Sequence, residues 1–151
     1  MLQLIRTTSS NSDFIALVEL LDEELVERDG DLNSFYDQFN KVESIKHIIV
    51  AYENQKPISC GALKEYNAQS MEIKRMYTVI EQRGKGIASQ LLAELEKWAA
   101  ELGYATCILE TGKKQVEAVS LYKKNGYQLI ENYGQYKGVD NSLCFEKKLN
   151  L

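Results

Sequence analysis

The chain has 151 residues, 44% hydrophobic and 26% charged, which is the size and balance of one domain (1–151) with its own apolar core rather than of a disordered segment. Eighteen Lys and Arg against 22 Asp and Glu leave a formal charge of −4, so the basic excess of a general nucleic-acid or membrane-surface binder is missing. Unbroken apolar runs such as Ile48–Tyr52 fall far short of the roughly 20 residues that span a bilayer.

Met1–Arg6 lacks the charged start, apolar stretch and small-residue cleavage site of a signal peptide. Cys60, Cys107 and Cys144 are odd in number, far apart, and set among apolar or β-branched residues. They fit neither a disulfide framework nor CxxC metal spacing, and they read as reduced core thiols of a cytoplasmic protein.

In chain order, Leu2–Arg6 reads as a first strand, and Ser12 as the N-cap of a helix carrying Phe14, Ile15, Val18, Leu21 and Leu25 at helical spacing. That helix should end before Asp29-Gly30-Asp31, and Leu32–Phe39 forms a second, shorter one. A hairpin follows, with strands His47–Tyr52 and Ile58–Glu65 around a Glu53–Pro57 turn, and then a turn at Asn67–Ser70. Met71–Val79 alternates Met71, Ile73, Arg75 and Tyr77 on one face against Glu72, Lys74, Met76 and Thr78 on the other. After the loop Arg83-Gly84-Lys85-Gly86, a helix from Ile87 to Leu102 gathers Ile87, Leu91, Leu92, Leu95, Trp98, Ala99 and Leu102 on one side, and Gly103 ends it. Strand, helix and then strand Thr106–Glu110 make a βαβ unit whose strands should be parallel. A helix over Lys114–Lys124 and strands at Tyr127–Ile130 and Leu143–Lys147 complete an α/β (α+β) domain with a mixed sheet and helices on both faces.

The glycine loop carries the first chemical signal. A helix start leaves four backbone N–H groups without intrahelical partners at the positive end of the dipole. Gly84 and Gly86 would let the main chain approach an anion, with Arg83 and Lys85 adding charge, so the segment reads as a diphosphate cradle. A Walker A loop is absent, and a GxGxxG pattern fails at Ser89. A plain strand-to-helix turn is the alternative.

At this point the sequence resembles the GNAT superfamily of N-acetyltransferases. The family's acetyl-CoA-binding string, [QR]-x-x-G-x-[GA] after a strand and opening a helix, is matched by Arg83-x-x-Gly86-x-Ala88. Glu72–Tyr77 is similar to the family's fourth strand, Leu91-Leu92 with Leu95-Glu96 to its following helix, and Ala118–Tyr127 to its A-x-x-x-Y-x-x-x-G-[FY] segment. Order and spacing agree from about residue 48 to 149. The resemblance implies a mostly antiparallel twisted sheet with a central splayed parallel pair, and acetyl-CoA as acyl donor with no metal. Pantetheine would lie between the splayed strands on backbone near Met76, Tyr77 and Thr78. The pyrophosphate would sit on Arg83, Gly84, Lys85, Gly86, Ile87 and Ala88, with Ser89 nearby. Gln115 stands where the family often has an Asn that contacts pantetheine, and Tyr122 falls on the tyrosine that protonates the departing thiolate.

Direct acyl transfer to an amine needs a base, an oxyanion donor and a proton for the leaving thiolate. The resemblance implies attack in a ternary complex with no enzyme nucleophile, and the sequence has no GxSxG. His47, the only histidine, starts a strand and reads as structural. Tyr122 is the candidate acid, Glu72 and Glu110 are the candidate bases, and the backbone near Met76 is the oxyanion donor. The acidic segment Glu19–Asp31 would favour a cationic amine if it borders the cleft, Asn132–Ser142 suits a shaped pocket wall, and Lys74 with Arg75 could anchor an acceptor carboxylate. A small-molecule amine or amino acid is the leading acceptor, and a peptide or protein amine the second. A non-catalytic acyl-CoA sensor is the competing class, nucleic acid and membrane are not expected partners, and the late strands could support a homodimer.

Overall fold

The computed structural model describes residues 1–29 and 45–149. Strands β1 (Leu2–Thr7), β2 (His47–Glu53), β3 (Lys56–Glu65), β4 (Ser70–Thr78), β5 (Thr106–Gly112), β6 (Gln128–Ile130) and β7 (Ser142–Lys148) form one sheet in the order β1-β2-β3-β4-β5-β7-β6. Helices α1 (Ser12–Asp29), α2 (Ile87–Glu101) and α3 (Val116–Lys124) pack on it. The α/β class, mixed sheet and parallel β4–β5 pair expected from the sequence are all present. The expected Leu32–Phe39 helix lies outside the described residues.

Period-two alternation divides the core between the two faces. Ile48, Val50, Cys60 and Ala62 point one way and bury Phe14, Leu17, Val18 and Leu21 of α1. Ile49, Ala51, Leu63, Ile73 and Leu109 point the other way, against Leu91, Leu92, Leu95 and Ala99 of α2. Leu102 falls outside the expected helical face and is exposed, because the helix has already ended: Gly103 N donates to Ala100 O, and Tyr104 N to Ala99 O. Cys60, Cys107 and Cys144 are buried free thiols. No helix among the described residues is long and apolar enough to cross a membrane.

Three local expectations are corrected by side-chain and backbone geometry. The cap of α1 is Asn11 rather than Ser12: its Oδ1 accepts from Phe14 N at 2.9 Å, which makes Ser12 the first helical residue. The β2–β3 turn is two residues rather than five, with Asn54 and Gln55 both at positive φ (52° and 70°), and Pro57 lies inside β3 opposite Tyr52. Pro57 is tolerated there because β3 pairs with β4 only from Ser59 onward.

The third correction concerns β4, whose alternation does not run through. The β3–β4 register passes from Ala62↔Lys74 to Cys60↔Tyr77, so Arg75 and Met76 together oppose Gly61. This is a β-bulge, with Arg75 in the left-handed region at φ 57°. Met76 thereby joins the α2-side core with Met71 and Ile73, while Tyr77 joins the α1 side. Gly61 is required by packing, since a Cβ there would lie 2.6 Å from Met76 Sδ, 2.7 Å from Leu91 Cδ2 and 2.8 Å from Leu95 Cδ1.

The feature that positions the site is the early end of the parallel pairing. β4 and β5 pair only from Ser70↔Thr106 to Glu72↔Ile108. Beyond that point β4 stays on β3 as far as Thr78↔Ser59, and β5 stays on β7 as far as Gly112↔Ser142. Each strand keeps its outer neighbour, and a gap opens between them.

Candidate active site

The gap is part of a cleft of about 980 Å³ that runs from α1, across the splayed strands, to the glycine loop and α3. Of the site residues expected from the sequence, Glu72, Met76, Tyr77, Thr78, Arg83, Gly84, Gly86, Ile87, Ala88, Ser89, Glu110, Gln115 and Tyr122 all line it. Lys85 does not: it is exposed, and its Nζ reaches Gln82 Oε1 at 3.2 Å.

At the loop end, Gly84 and Gly86 have φ of 79° and 81°, a region that L side chains rarely adopt. A Cβ at either position would have no heavy atom within 4 Å, so the main chain here borders open space. Gly86 is the N-cap of α2, whose first-turn N–H groups have no intrahelical acceptor. Open glycine backbone at a helix start fits an anionic diphosphate. Arg83 contributes differently from expectation. Its Nε donates to Thr78 O at 2.7 Å, its Nη2 reaches both oxygens of Glu24 at 2.9 and 3.2 Å, and its guanidinium lies 5.4 Å from the centre of the Tyr77 ring. The side chain therefore ties the end of β4 to α1. Ser89 Oγ accepts from Asn125 Nδ2 at 3.1 Å, which links α2 to the end of α3.

Tyr122 is a buried side chain of α3 that packs against Tyr127 (centroids 5.8 Å apart) and Phe145 (6.3 Å) while lining the cleft. Burial, with a further push from Glu110, raises its phenol above the ordinary tyrosine value, so it stays protonated.

The other end of the cleft is polar and buried. Glu72, only 6% exposed, accepts through Oε2 from the Tyr133 hydroxyl at 2.7 Å, and its Oε1 lies 3.9 Å from Lys74 Nζ. Glu110 Oε2 accepts from the Ser142 hydroxyl at 2.7 Å. Both candidate bases thus face one void, each held by a hydroxyl from the segment that closes the late strands. Burial lowers the Lys74 ammonium, opposed mainly by Glu72. Arg75 is buried too, with Nη2 on Asp22 Oδ1 at 2.5 Å. Lys74 and Arg75, which the sequence offered as anchors for an acceptor carboxylate, therefore each already face a carboxylate of the protein.

Within the acidic Glu19–Asp31 segment, Asp22 and Glu24 turn to Arg75 and Arg83, whereas Glu19, Glu23 and Glu27 are solvent-exposed. His47 packs edge-on against Trp98, 4.9 Å between centroids, and does not line the cleft. The hydrogen bonds of Tyr133 and Ser142 to the two carboxylates have no signal in the linear sequence. The Ser142 bond to Glu110 follows from the β5–β7 register, which sets Gly112 opposite Ser142, and the Tyr133 bond to Glu72 from the path of the β6–β7 connection back over β4.

Comparison with known proteins agrees with this architecture. The chain is 37% identical over 101 residues to an uncharacterized N-acetyltransferase, YsnE, of Bacillus subtilis (strain 168), covering 66% of this chain and 67% of the relative. A Klebsiella pneumoniae structure assigned as an acyl-CoA N-acyltransferase superposes with a TM-score of 0.83 at 29% identity, over 99% of both chains. A GNAT family acetyltransferase from Elizabethkingia anophelis, solved with acetyl-CoA bound, shares the fold with a TM-score of 0.72 at 19% identity, over 98% of both chains. The family model for acetyltransferases of the GNAT family matches residues 14–127, from Phe14 of α1 to Tyr127 just before β6. That span holds both strands that part, the glycine loop between them and the helix bearing Tyr122, and the chain belongs to the GNAT acetyltransferase family.

Proposed function

We propose that the protein transfers the acetyl group of acetyl-CoA to a primary amine of a small molecule or amino acid, by direct attack in a ternary complex. The observation that carries this reading is the splay of β4 and β5, which brings the open glycine loop, Tyr122, the buried Glu72 and the half-buried Glu110 to one cleft. The fold shared with a neighbour that holds acetyl-CoA supports the same donor here.

When bound, the thioester supplies an activated acyl group, and the chain's own residues do the rest. The backbone at Gly84–Ala88 receives the diphosphate. The bulge at Arg75-Met76 re-aims the β4 backbone, where a fixed N–H can stabilise the oxyanion. Glu72 or Glu110 takes the proton that a charged amine must lose before it can attack. Tyr122, kept protonated by burial, gives its proton to the departing thiolate.

Direct attack is favoured over an acyl-enzyme by the state of the thiols. Burial pushes Cys60 and Cys107 up to about 12 and Cys144 up to about 11, so all three are poor nucleophiles. The test is CoA release from acetyl-CoA across a panel of amines, with Glu72→Gln and Glu110→Gln alongside the wild type. A general base contributes about 10²–10⁴-fold, so one of the two variants should lose at least about a hundredfold in kcat/KM. Saturable CoA binding with no turnover on any amine, amino acid or peptide would identify an acyl-CoA sensor instead.

A further inference from the structure

Among the described residues, the cations that line the cleft are Lys74, Arg75, Arg83 and Lys124. The first three each face a carboxylate of the protein: Lys74 lies near Glu72, Arg75 bonds Asp22, and Arg83 bonds Glu24. Lys124 is exposed at the end of α3, beside the Asn125 that reaches Ser89 on the loop side of the cleft. At the opposite end, two carboxylates, Glu72 and Glu110, stand against the single ammonium of Lys74. The Tyr133 hydroxyl donates to Glu72 and the Ser142 hydroxyl to Glu110. The wall beside them is aromatic: Tyr136 lines the cleft, and its ring meets that of Tyr133 edge-on at 5.8 Å.

From this pairing of charges we infer that the acceptor is an amine bearing no carboxylate next to its reactive nitrogen, such as an aliphatic or arylalkyl amine or a diamine. The inference rests on the N-acetyltransferase reading and narrows it. An incoming ammonium adds a positive charge beside Glu72 and Glu110, which among the described residues share this end with Lys74 and with an Arg75 already bonded to Asp22, and tyrosine rings suit it further. An α-amino acid brings its carboxylate to the same place. That carboxylate meets Glu72 and Glu110 as like charges, or it must displace Asp22 or Glu24 from a buried or half-buried arginine. Neither route offers it an ion pair that the protein has not already made.

The test uses the full chain with acetyl-CoA and matched acceptors that differ only in the carboxylate: phenylalanine with phenethylamine, tyrosine with tyramine, and lysine with cadaverine. Amino-acid amides are added to control for the nearby polar group. CoA release is followed for each acceptor, and CoA binding is measured separately by calorimetry. The carboxylate-free member of each pair should lead by about tenfold or more in kcat/KM, the scale of one unsatisfied buried polar group. Glu110→Gln should narrow that ratio, and because the ratio is taken within one variant, any loss of turnover cancels. Amino acids used as well as or better than their carboxylate-free partners would overturn the inference and leave acyl transfer standing. Tight CoA binding with no release on any acceptor would overturn acyl transfer itself, and this inference with it.

Discussion

The Tyr133 hydroxyl donates to Glu72 Oε2 at 2.7 Å across 61 residues of sequence. Burial, reinforced by the Glu72 charge, raises this phenol above its ordinary value, so it remains a donor at any working pH. A hydrogen bond to a charged group contributes about 1.5–3 kcal/mol, so Tyr133→Phe should lower kcat by about tenfold or more. Steady-state kinetics and CoA calorimetry separate the two roles open to it. If CoA affinity falls together with kcat, Tyr133 supports the whole cleft rather than orienting Glu72.

Tyr122 has a pH signature. An acid whose value is raised loses its proton later on the alkaline side, so the donating form persists beyond the ordinary tyrosine value of about 10. Tyr122→Phe should reduce kcat by about 10²-fold, the lower range for a positioned acid, while CoA still binds. The wild-type-to-variant ratio of kcat should stay flat from neutrality to about pH 10. A ratio that decays near neutral pH would show that another group protonates the thiolate.

The three buried thiols give a stability prediction of definite sign. Burial raises Cys60, Cys107 and Cys144 to about 12, 12 and 11. Thiols raised in the folded state stay protonated after the unfolded chain has ionised. The stability they confer is complete below the unfolded value of about 8.5 and is lost as pH climbs above it. Tm should therefore fall through the range from about pH 9 to about pH 11. At pH 8 a thiol reagent should leave the native protein unlabelled and label all three cysteines in guanidinium. Rapid labelling of even one in the native state would contradict the packing.

Gly61 tests the bulge. Adding one methyl places it within 3 Å of Met76 Sδ, Leu91 Cδ2 and Leu95 Cδ1. Overpacking of this kind costs about 1–3 kcal/mol, so Gly61→Ala should lower Tm by several degrees, at about 2–4 °C per kcal/mol for a chain of this size. Because Met76 is half of the bulge, turnover should fall as well, and CoA titration would show whether the proposed CoA site at the glycine loop moves with it.

Most of the fold was legible in the sequence because its elements are built from local rules. The apolar spacing of Ile87–Leu95 marks α2, Gly103 at φ 93° stops it, and the alternation in His47–Tyr52 marks a strand with two different faces. Reading failed where one side chain or one extra residue decided the outcome. Asn11 rather than Ser12 caps α1, and Arg75 in the left-handed region re-faces the second half of β4. A bulge has no period to detect, since it is the interruption of one.

The glycine loop and Tyr122 belong to contiguous stretches, so the residues lining the loop end of the cleft could be named from the sequence. The polar end could not be resolved in that way. Which carboxylate meets Tyr133, which meets Ser142, and whether Lys74, Arg75 and Arg83 stand open or paired depend on contacts between residues 2 to 61 positions apart. Local propensity acts over a turn or two of chain and sets helices, strands and caps. Ion pairing in a buried cleft is decided by whichever groups the register and the bulge bring within about 4 Å, where a low dielectric makes each partner count.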